Sequence, residues 1–160
     1  MKIYNYSFIF TKPWDLIRDA DIEKRVIATL EKNLGKTGGN FKRTWGPFRM
    51  SRPPEDFWRE FYESAREWSG FEWMIRDFLS LPKSPLIVFY SGKDITNRIV
   101  ENLGPTTPPE NEDIITKAGT PTIRWIYGMP WNEGWKNVAH APKPGEVERQ
   151  IRIMWKYRVA

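Results

Sequence analysis

The chain has 160 residues and a formal net charge of +5, a size that suits one domain over residues 1–160. It contains no cysteine and a single histidine, which excludes disulfides and thiolate metal clusters and disfavours a zinc site. The cationic residues form no basic block, so they indicate solubility or a small polyanionic substrate and predict no nucleic-acid partner. The apolar runs are too short to span a membrane and no signal-peptide pattern opens the chain, so we expect a cytoplasmic protein without membrane contact.

The first part of the chain predicts a strand, a helix and a second strand. Residues 3–10 are rich in β-branched and aromatic side chains, as a buried strand requires. Pro13 ends this strand, since proline cannot continue a central ladder, and Lys12 therefore lies at its carboxyl end. Apolar residues then recur at helical spacing up to Gly35, which is placed to end the helix, and residues 41–50 form the second strand.

The middle of the chain predicts two short helices, a strand and a further helix. Ser51 is a candidate N-cap, and Gly70 separates two apolar stripes that predict a hairpin-like helical arm. Residues 85–90 form the clearest strand of the chain. Asp94 is placed to cap the next helix, which Gly104 ends.

The last third predicts a polar loop followed by short elements. Residues 105–121 are rich in proline, threonine, glutamate and asparagine, a composition typical of a functional or assembly loop. An arginine-bearing strand at 122–124, a short strand at 138–140 and a final helix from Val147 complete the order. This order predicts an α+β fold of the ferredoxin-like (split βαβ) type, a four-stranded antiparallel sheet with helices on one face.

The only histidine, His140, lies in the sequence Asn137-Val138-Ala139-His140, downstream of Thr122-Ile123-Arg124. A histidine that carries a phosphoryl group needs cations around it, and an arginine-bearing segment just upstream favours such a site. A single histidine is more often structural than catalytic, so the pattern needs support from other parts of the chain.

Short motifs along nearly the whole chain resemble, in the same order, those of the nucleoside diphosphate kinase family. They are Phe10-Thr11-Lys12-Pro13 at the end of the first strand, Glu60-Phe61-Tyr62, Phe71, Arg98, Leu103-Gly104-Pro105-Thr106-Thr107-Pro108, Thr122-Ile123-Arg124 and Asn137-Val138-Ala139-His140. Each motif alone is weak, but their common order, with the only histidine among them, carries the resemblance.

The resemblance implies a ping-pong phosphotransferase. His140 would take the γ-phosphate of a nucleoside triphosphate as phosphohistidine and pass it to a nucleoside diphosphate. The cofactor Mg²⁺ would arrive on the nucleotide phosphates rather than in a protein metal site. The resemblance also implies a homo-oligomer, either a hexamer or a tetramer, and the nine tryptophans leave room for a hydrophobic interface as well as a core.

The resemblance further assigns the substrate-binding residues. Lys12, Arg98 and Arg124 would hold phosphate oxygens, because an ammonium and two guanidinium groups neutralise the charge of the transferred group. The remaining contacts would be a hydroxyl donor from Thr106, an imidazole-orienting hydroxyl from Tyr62, a ribose contact from Asn137 and a base-stacking ring from Phe71. Stacking contacts no base edge, so loose base specificity is expected.

The chain departs from the family pattern around the histidine. Residues 141–143 are Ala-Pro-Lys where the family has Gly-Ser-Asp, so a serine hydroxyl near the nucleophile is missing. On the final helix, Gln150 stands nearest to the family glutamate that orients the second ring nitrogen, with Glu146 one turn earlier. An amide stabilises an imidazolium less than a carboxylate does, so turnover is expected to differ.

Two other functions are open at this point. One is a weakened family member that binds nucleotide or carries phosphohistidine for regulation. The other is a nucleic-acid-binding module, whose stacking surface would consist of Tyr4, Tyr6, Trp45 and Phe89. Residues 86–92 lack the basic and aromatic strand signature of RNA-recognition modules, so nucleoside tri- and diphosphates are the predicted ligands.

Overall fold

A computed structural model describes residues 5–14, 21–37, 39–106, 116, 119–131 and 134–160. The start of the predicted first strand, including Tyr4, and most of the predicted polar loop lie outside the described residues. The described elements, in chain order, are β1 (Tyr6–Thr11), α1 (Ile22–Lys36), β2 (Phe41–Arg49), α2 (Glu55–Phe61), a 3-10 turn (Glu63–Ala65), α3 (Phe71–Leu79), β3 (Leu86–Gly92), α4 (Ile95–Leu103), α5 (Ile123–Tyr127), β4 (Met129–Trp131), β5 (Gly134–Lys136), β6 (Ala139–His140) and α6 (Val147–Lys156).

Four strands form one sheet in the order β2-β3-β1-β6, and each neighbouring pair is antiparallel. The chain passes from β1 through α1 to β2, and β3 lies between these two strands, which is the split βαβ arrangement. In the pairing of β1 with β6, Phe10 lies opposite His140. The predicted α+β class with a four-stranded antiparallel sheet is confirmed.

Helices cover both faces of the sheet, so the prediction of helices on one face is wrong. Phe8 and Phe10 of β1 pack in a cluster with residues of α2, α3 and α6. Ile9, between them, packs in a second cluster with residues of α1, α4 and α5. The physical reason is visible in the sequence, because the apolar runs of β1 and β3 are continuous rather than alternating, as in strands buried on both sides.

Some predicted element boundaries differ from the structure. Gly35 lies inside α1, which continues to Lys36, so it does not end the helix. Ser51 is not an N-cap, because α2 begins only after Pro54. Residues 122–124 form the start of helix α5 rather than a strand, since a short β-branched run does not distinguish the two.

A buried carboxylate fixes the end of β1 that precedes Lys12. Glu23 of α1 is 4% exposed and accepts hydrogen bonds from the Thr11 hydroxyl and from Arg49, at 2.9 Å. It also pairs with the Lys83 ammonium at 3.0 Å. Burial alone would raise the pKa of Glu23, but the contacts with Thr11, Lys83 and Arg49 outweigh burial and hold that pKa below its usual value.

We predict that Glu23→Gln lowers the free energy of unfolding by about 1–3 kcal/mol at neutral pH, because two cations and a hydroxyl lose their charged acceptor. The pKa of Glu23 is lower in the folded than in the unfolded chain, so this stabilisation is fully present above the usual value of 4.5 and is lost as the pH falls through the folded pKa. Urea unfolding of wild type and variant across this range measures the difference.

The control variant is Glu67→Gln, at a carboxylate that is 93% exposed and contributes little to stability. A stability difference between wild type and Glu23→Gln that is the same at pH 7 as at about pH 3 would contradict the ionised role of Glu23.

The chain contains no described helix whose length and apolar character would let it span a bilayer.

Candidate active site

His140 lies on the last strand of the sheet, against the end of β1. Its ring stacks on Phe10, with centroids 4.7 Å apart and planes inclined by 21°, and it meets the Phe61 ring edge-on at 5.1 Å. Both ring nitrogens have a polar neighbour. Nε2 lies 2.8 Å from Oε1 of Gln150 on α6, and Nδ1 lies 3.3 Å from the hydroxyl of Tyr62.

These two contacts select one tautomer of the imidazole. The amide oxygen of Gln150 is an acceptor, so Nε2 carries the proton and Nδ1 carries a lone pair. Burial raises the pKa of the Tyr62 hydroxyl, which therefore stays protonated and donates toward Nδ1. Burial, together with the charges of Lys12 and Arg124, lowers the pKa of His140 to about 3. The ring is therefore neutral at physiological pH, which is the state in which Nδ1 is a nucleophile.

Lys12 brings an ammonium next to this ring. Its backbone N–H donates to the carbonyl of Val138 at 2.8 Å, which joins the end of β1 to the segment before His140. The ammonium lies 5.5 Å from the centroid of Phe78 and 5.9 Å from that of Tyr62. Burial, with the nearby charges of Arg124 and Lys136, lowers the pKa of Lys12 to about 7. An incoming anion would restore its charge, since an opposite charge favours the ammonium form.

Arg124 supplies a second cation from the first turn of α5. Its guanidinium donates to the carbonyl of Gly104 at 2.5 Å and to that of Ala139, the neighbour of His140, at 3.4 Å. Burial lowers the pKa of Arg124 to about 10, so it remains charged at neutral pH. Arg124 therefore connects the end of α4 to β6 and adds positive charge beside the imidazole.

Asn137 and Thr106 each lie close in sequence to a residue already described at this site, His140 and Gly104 respectively. Asn137 is 6% exposed, and no described residue donates a hydrogen bond to its side-chain oxygen Oδ1. A buried acceptor of this kind is costly unless a ligand or water donates to it. Thr106 is exposed and lies two residues beyond Gly104, whose carbonyl Arg124 binds.

Comparisons with known proteins bear on this arrangement. No protein-family model matches the chain, and no curated protein matches it in sequence. Solved nucleoside diphosphate kinases match it in structure. The Aquifex aeolicus enzyme has a TM-score of 0.62 and 24% identity, with 94% of each chain covered.

Two further solved structures agree. The Halobacterium salinarum nucleoside diphosphate kinase, solved in complex with CDP, has a TM-score of 0.64 and 19% identity over 96% of this chain and 89% of that one. The Encephalitozoon cuniculi enzyme has a TM-score of 0.59 and 20% identity over 98% and 92%. This chain has the nucleoside diphosphate kinase fold. The resemblance derived from the motifs is thus confirmed for the fold.

Arg98, predicted to bind phosphate, lies elsewhere in this fold. It lies on α4. Its guanidinium donates to the carbonyls of Leu34 and Gly39, each at 2.9 Å. Leu34 is in the last turn of α1, where helix carbonyls lack partners within the helix, and Gly39 is in the segment that follows α1. The assignment of Arg98 to the nucleotide site is therefore corrected, and Arg98 instead holds the end of α1.

Phe71 and Glu146 also take other roles than predicted. Phe71 is 7% exposed and packs inside the cluster formed by α2, α3 and α6, so its face is not available to a base. Glu146 precedes α6 and pairs with Arg149 at 3.1 Å. Gln150, one turn later, makes the contact with the imidazole.

Two further residues contact the site although no motif in the sequence contains them, namely Trp14 and Lys136. The Trp14 indole N–H donates to the carbonyl of Asn137 at 2.5 Å, and Lys136 is 8% exposed and adds its charge to that around Lys12. The available signal was adjacency, because Trp14 follows Lys12-Pro13 and Lys136 precedes Asn137.

A separate cavity of about 360 Å³ lies on the sheet between β2, β3 and α6. Tyr6, Trp45 and Phe89, three of the rings considered for nucleic-acid stacking, line it. The two charged residues that line it, Glu148 and Arg152, pair with each other. The lining therefore offers aromatic surface without an excess of cations for a phosphate chain.

We predict that the His140 imidazole remains in the neutral Nε2–H form from neutral pH down to about pH 4, because its pKa is lowered to about 3. The chain has one histidine, so its ¹⁵N NMR spectrum reports this ring without overlap. Protonation with a midpoint near the usual value of 6.5 in the folded protein would contradict the buried, cation-flanked placement. The matched control is Gln150→Leu, which removes the acceptor and is expected to give a mixture of tautomers.

Proposed function

We propose that residues 1–160 form a single nucleoside diphosphate kinase domain that transfers the γ-phosphate of a nucleoside triphosphate to a nucleoside diphosphate through a phosphohistidine at His140. One observation carries the proposal. A neutral imidazole has Nε2 held by Gln150 and Nδ1 beside the Tyr62 hydroxyl, and the charges of Lys12 and Arg124 act on this ring. The fold shared with solved nucleoside diphosphate kinases supports it.

In the first half-reaction, the Nδ1 lone pair attacks the γ-phosphorus, the nitrogen–phosphorus bond forms, and the β–γ bridging bond breaks. The bridging oxygen leaves with the electron pair as part of the nucleoside diphosphate. A terminal oxygen of a second nucleoside diphosphate then attacks the phosphorus of the phosphohistidine. The new oxygen–phosphorus bond forms, the nitrogen–phosphorus bond breaks, and its electron pair returns to Nδ1. Because the transition state is loose and anionic, the main work of the protein is positioning and charge neutralisation by Lys12 and Arg124.

The nucleotide enters as its Mg²⁺ complex. The described side chains around His140 are cationic or neutral, a donor set that attracts phosphate and repels a bare divalent cation. Mg²⁺ is therefore expected to be held by phosphate oxygens and water rather than by carboxylates of the protein. Asn137 would accept a hydrogen bond from the ribose through its buried Oδ1, and Thr106 would donate to a phosphate oxygen.

The weakened, phosphohistidine-carrying member is the second candidate, and Gln150 favours it. Phosphorylation at Nδ1 leaves a positively charged ring whose Nε2–H points at an uncharged amide. A carboxylate would stabilise that ring by roughly 1–2 kcal/mol more, since hydrogen bonds to charged groups are stronger than neutral ones. A lower yield of phosphohistidine is the expected consequence.

We also propose a cytoplasmic homo-oligomer, a hexamer or a tetramer. Four tryptophans support a further hydrophobic interface because each exposes more than half of its surface, namely Trp45, Trp68, Trp73 and Trp155. Large exposed rings are enriched where subunits meet.

We predict that γ-labelled ATP with Mg²⁺ labels the protein at a single site, and that adding a nucleoside diphosphate removes the label as a nucleoside triphosphate. His140→Ala should abolish labelling while the chain stays folded, because no other imidazole exists in the sequence. Label that stays on the protein after the diphosphate is added would favour the phosphohistidine-carrying member. Label retained in His140→Ala would contradict both.

We predict that kcat/KM for the triphosphate falls as the pH rises above about 7, because the pKa of free Lys12 is lowered to about 7 and the neutral amine cannot neutralise phosphate. The decline in kcat should begin at higher pH, since bound phosphate favours the ammonium. Lys12→Arg should remove the basic decline, because a guanidinium stays charged, although its baseline rate would be lower.

The role of Arg124 is tested with Arg124→Ala, and Arg98→Ala is the matched control. Losing the Arg124 charge should lower kcat/KM by about 100-fold, the usual effect of removing a donor to the transition state. Arg98→Ala should leave KM unchanged and lower only thermal stability. Equal loss of activity in both variants, or a flat kcat/KM for wild type between about pH 6 and 9, would overturn these roles.

A further inference from the structure

Trp14 connects the two loops that carry the proposed phosphate and ribose contacts. It lies two residues after Lys12, and its indole N–H donates to the backbone carbonyl of Asn137 at 2.5 Å. Lys12 in turn donates its backbone N–H to the carbonyl of Val138, at 2.8 Å. The segment that holds Lys12 is thus joined to residues 137 and 138 at two consecutive carbonyls.

The indole ring of Trp14 also contacts the ammonium group of Lys136. The Lys136 ammonium lies 4.2 Å from the centroid of the Trp14 ring and 2.5 Å from Oδ2 of Asp77 on α3. The Lys136 side chain is 10% exposed, whereas that of Asp77 is 46% exposed. A largely desolvated ammonium held by a ring and a carboxylate has little freedom to move, so the residue before Asn137 is also fixed.

The indole also packs in the row of aromatic rings that leads through Phe78 and Tyr62 to the imidazole. Trp14 packs on Phe78 with centroids 5.5 Å apart, and Phe78 stacks on Tyr62 at 5.1 Å with planes inclined by 17°. The Lys12 ammonium lies 5.5 Å from the Phe78 centroid. One packed unit therefore fixes Lys12, Tyr62 and the Asn137 backbone relative to one another.

We propose that Trp14, with the Lys136–Asp77 ion pair, is a positioning element that sets the distance between the Lys12 ammonium and the Asn137 amide. We call these three residues and the Asn137 carbonyl the Trp14 bridge. The inference rests on the proposed function in one respect, that Lys12 and Asn137 contact the two ends of the same nucleotide. The bridge makes no described hydrogen bond to His140 or Gln150, and Lys12 keeps its backbone bond to Val138 when the indole is removed. Loss of the indole should therefore loosen the ribose contact of Asn137 more than the phosphate contact of Lys12, and so raise KM more than it lowers kcat.

The test uses the full chain and the variant Trp14→Phe, which removes the indole donor and keeps a ring for Lys136 and Phe78. We expect KM for the nucleoside diphosphate to rise about fivefold to tenfold, the effect of one lost hydrogen bond, while kcat stays within about twofold. The matched control is Trp73→Phe, at a tryptophan on α3 that is 64% exposed, and KM should not change. A KM within twofold of wild type in Trp14→Phe, or a fall in kcat without a rise in KM, would overturn the proposal.

Amide hydrogen exchange without nucleotide tests the bridge independently of the reaction. Exchange across residues 136–140 should be faster in Trp14→Phe than in wild type, and unchanged in Trp73→Phe. Wild type that fails to take label from ATP would refute the proposed function, yet the exchange result would still decide whether the bridge exists. Unchanged exchange in Trp14→Phe overturns the inference.

A third variant covers the case in which Trp14→Phe does not fold. Asp77→Asn breaks the ion pair at a half-exposed position, and we expect it to raise KM about threefold and to speed exchange at residues 136–140. Asp77→Glu should restore both values toward wild type. Wild-type exchange and KM in Asp77→Asn, alongside an unfolded Trp14→Phe, would show that the tryptophan serves core packing only and would refute the positioning role.

Discussion

The candidate site depends on the antiparallel pairing of β1 with β6. This pairing puts His140 opposite Phe10, so the imidazole is stacked on a ring of the central strand and the next residues of that strand lead directly to Lys12. Stacking removes water from the imidazole, and the loss of water is the largest cause of its low pKa. The same strand pair thus sets both the orientation of the imidazole and its neutral state.

Three basic side chains share this buried region, namely Lys12, Arg124 and His140. Burial lowers the pKa of all three, so their charged forms are costly there, and among the described residues no carboxylate hydrogen-bonds to the imidazole to offset that cost. A negative charge placed next to Lys12 and Arg124 would favour their charged forms. Such groups cost folding free energy in the absence of ligand and are a common property of functional sites.

The sequence predicted positions at strand ends better than positions on helices. Lys12 directly follows β1 and His140 is on β6, so the antiparallel pairing of these two strands decides where both residues lie. Arg98 and Phe71 lie on helices, where a rotation of about 100° per residue decides the face. The order of motifs identifies the helices but not the faces on which these residues lie. The Arg98 side chain therefore binds at the end of α1, and the Phe71 side chain lies in the core. Adjacency in the sequence marks Trp14 and Lys136 but does not predict their contacts, which join segments more than a hundred residues apart.

Gly104 has a consequence for the cation on α5. It ends α4 with a φ of 82°, and a Cβ at this position would lie 2.5 Å from the Cβ of Thr122, the residue that begins α5. Its carbonyl accepts from Arg124. A side chain at position 104 would therefore clash with the residue that precedes α5, the helix that carries the guanidinium. The placement of a charged group beside β6 thus depends on a neighbour that has no side chain at all.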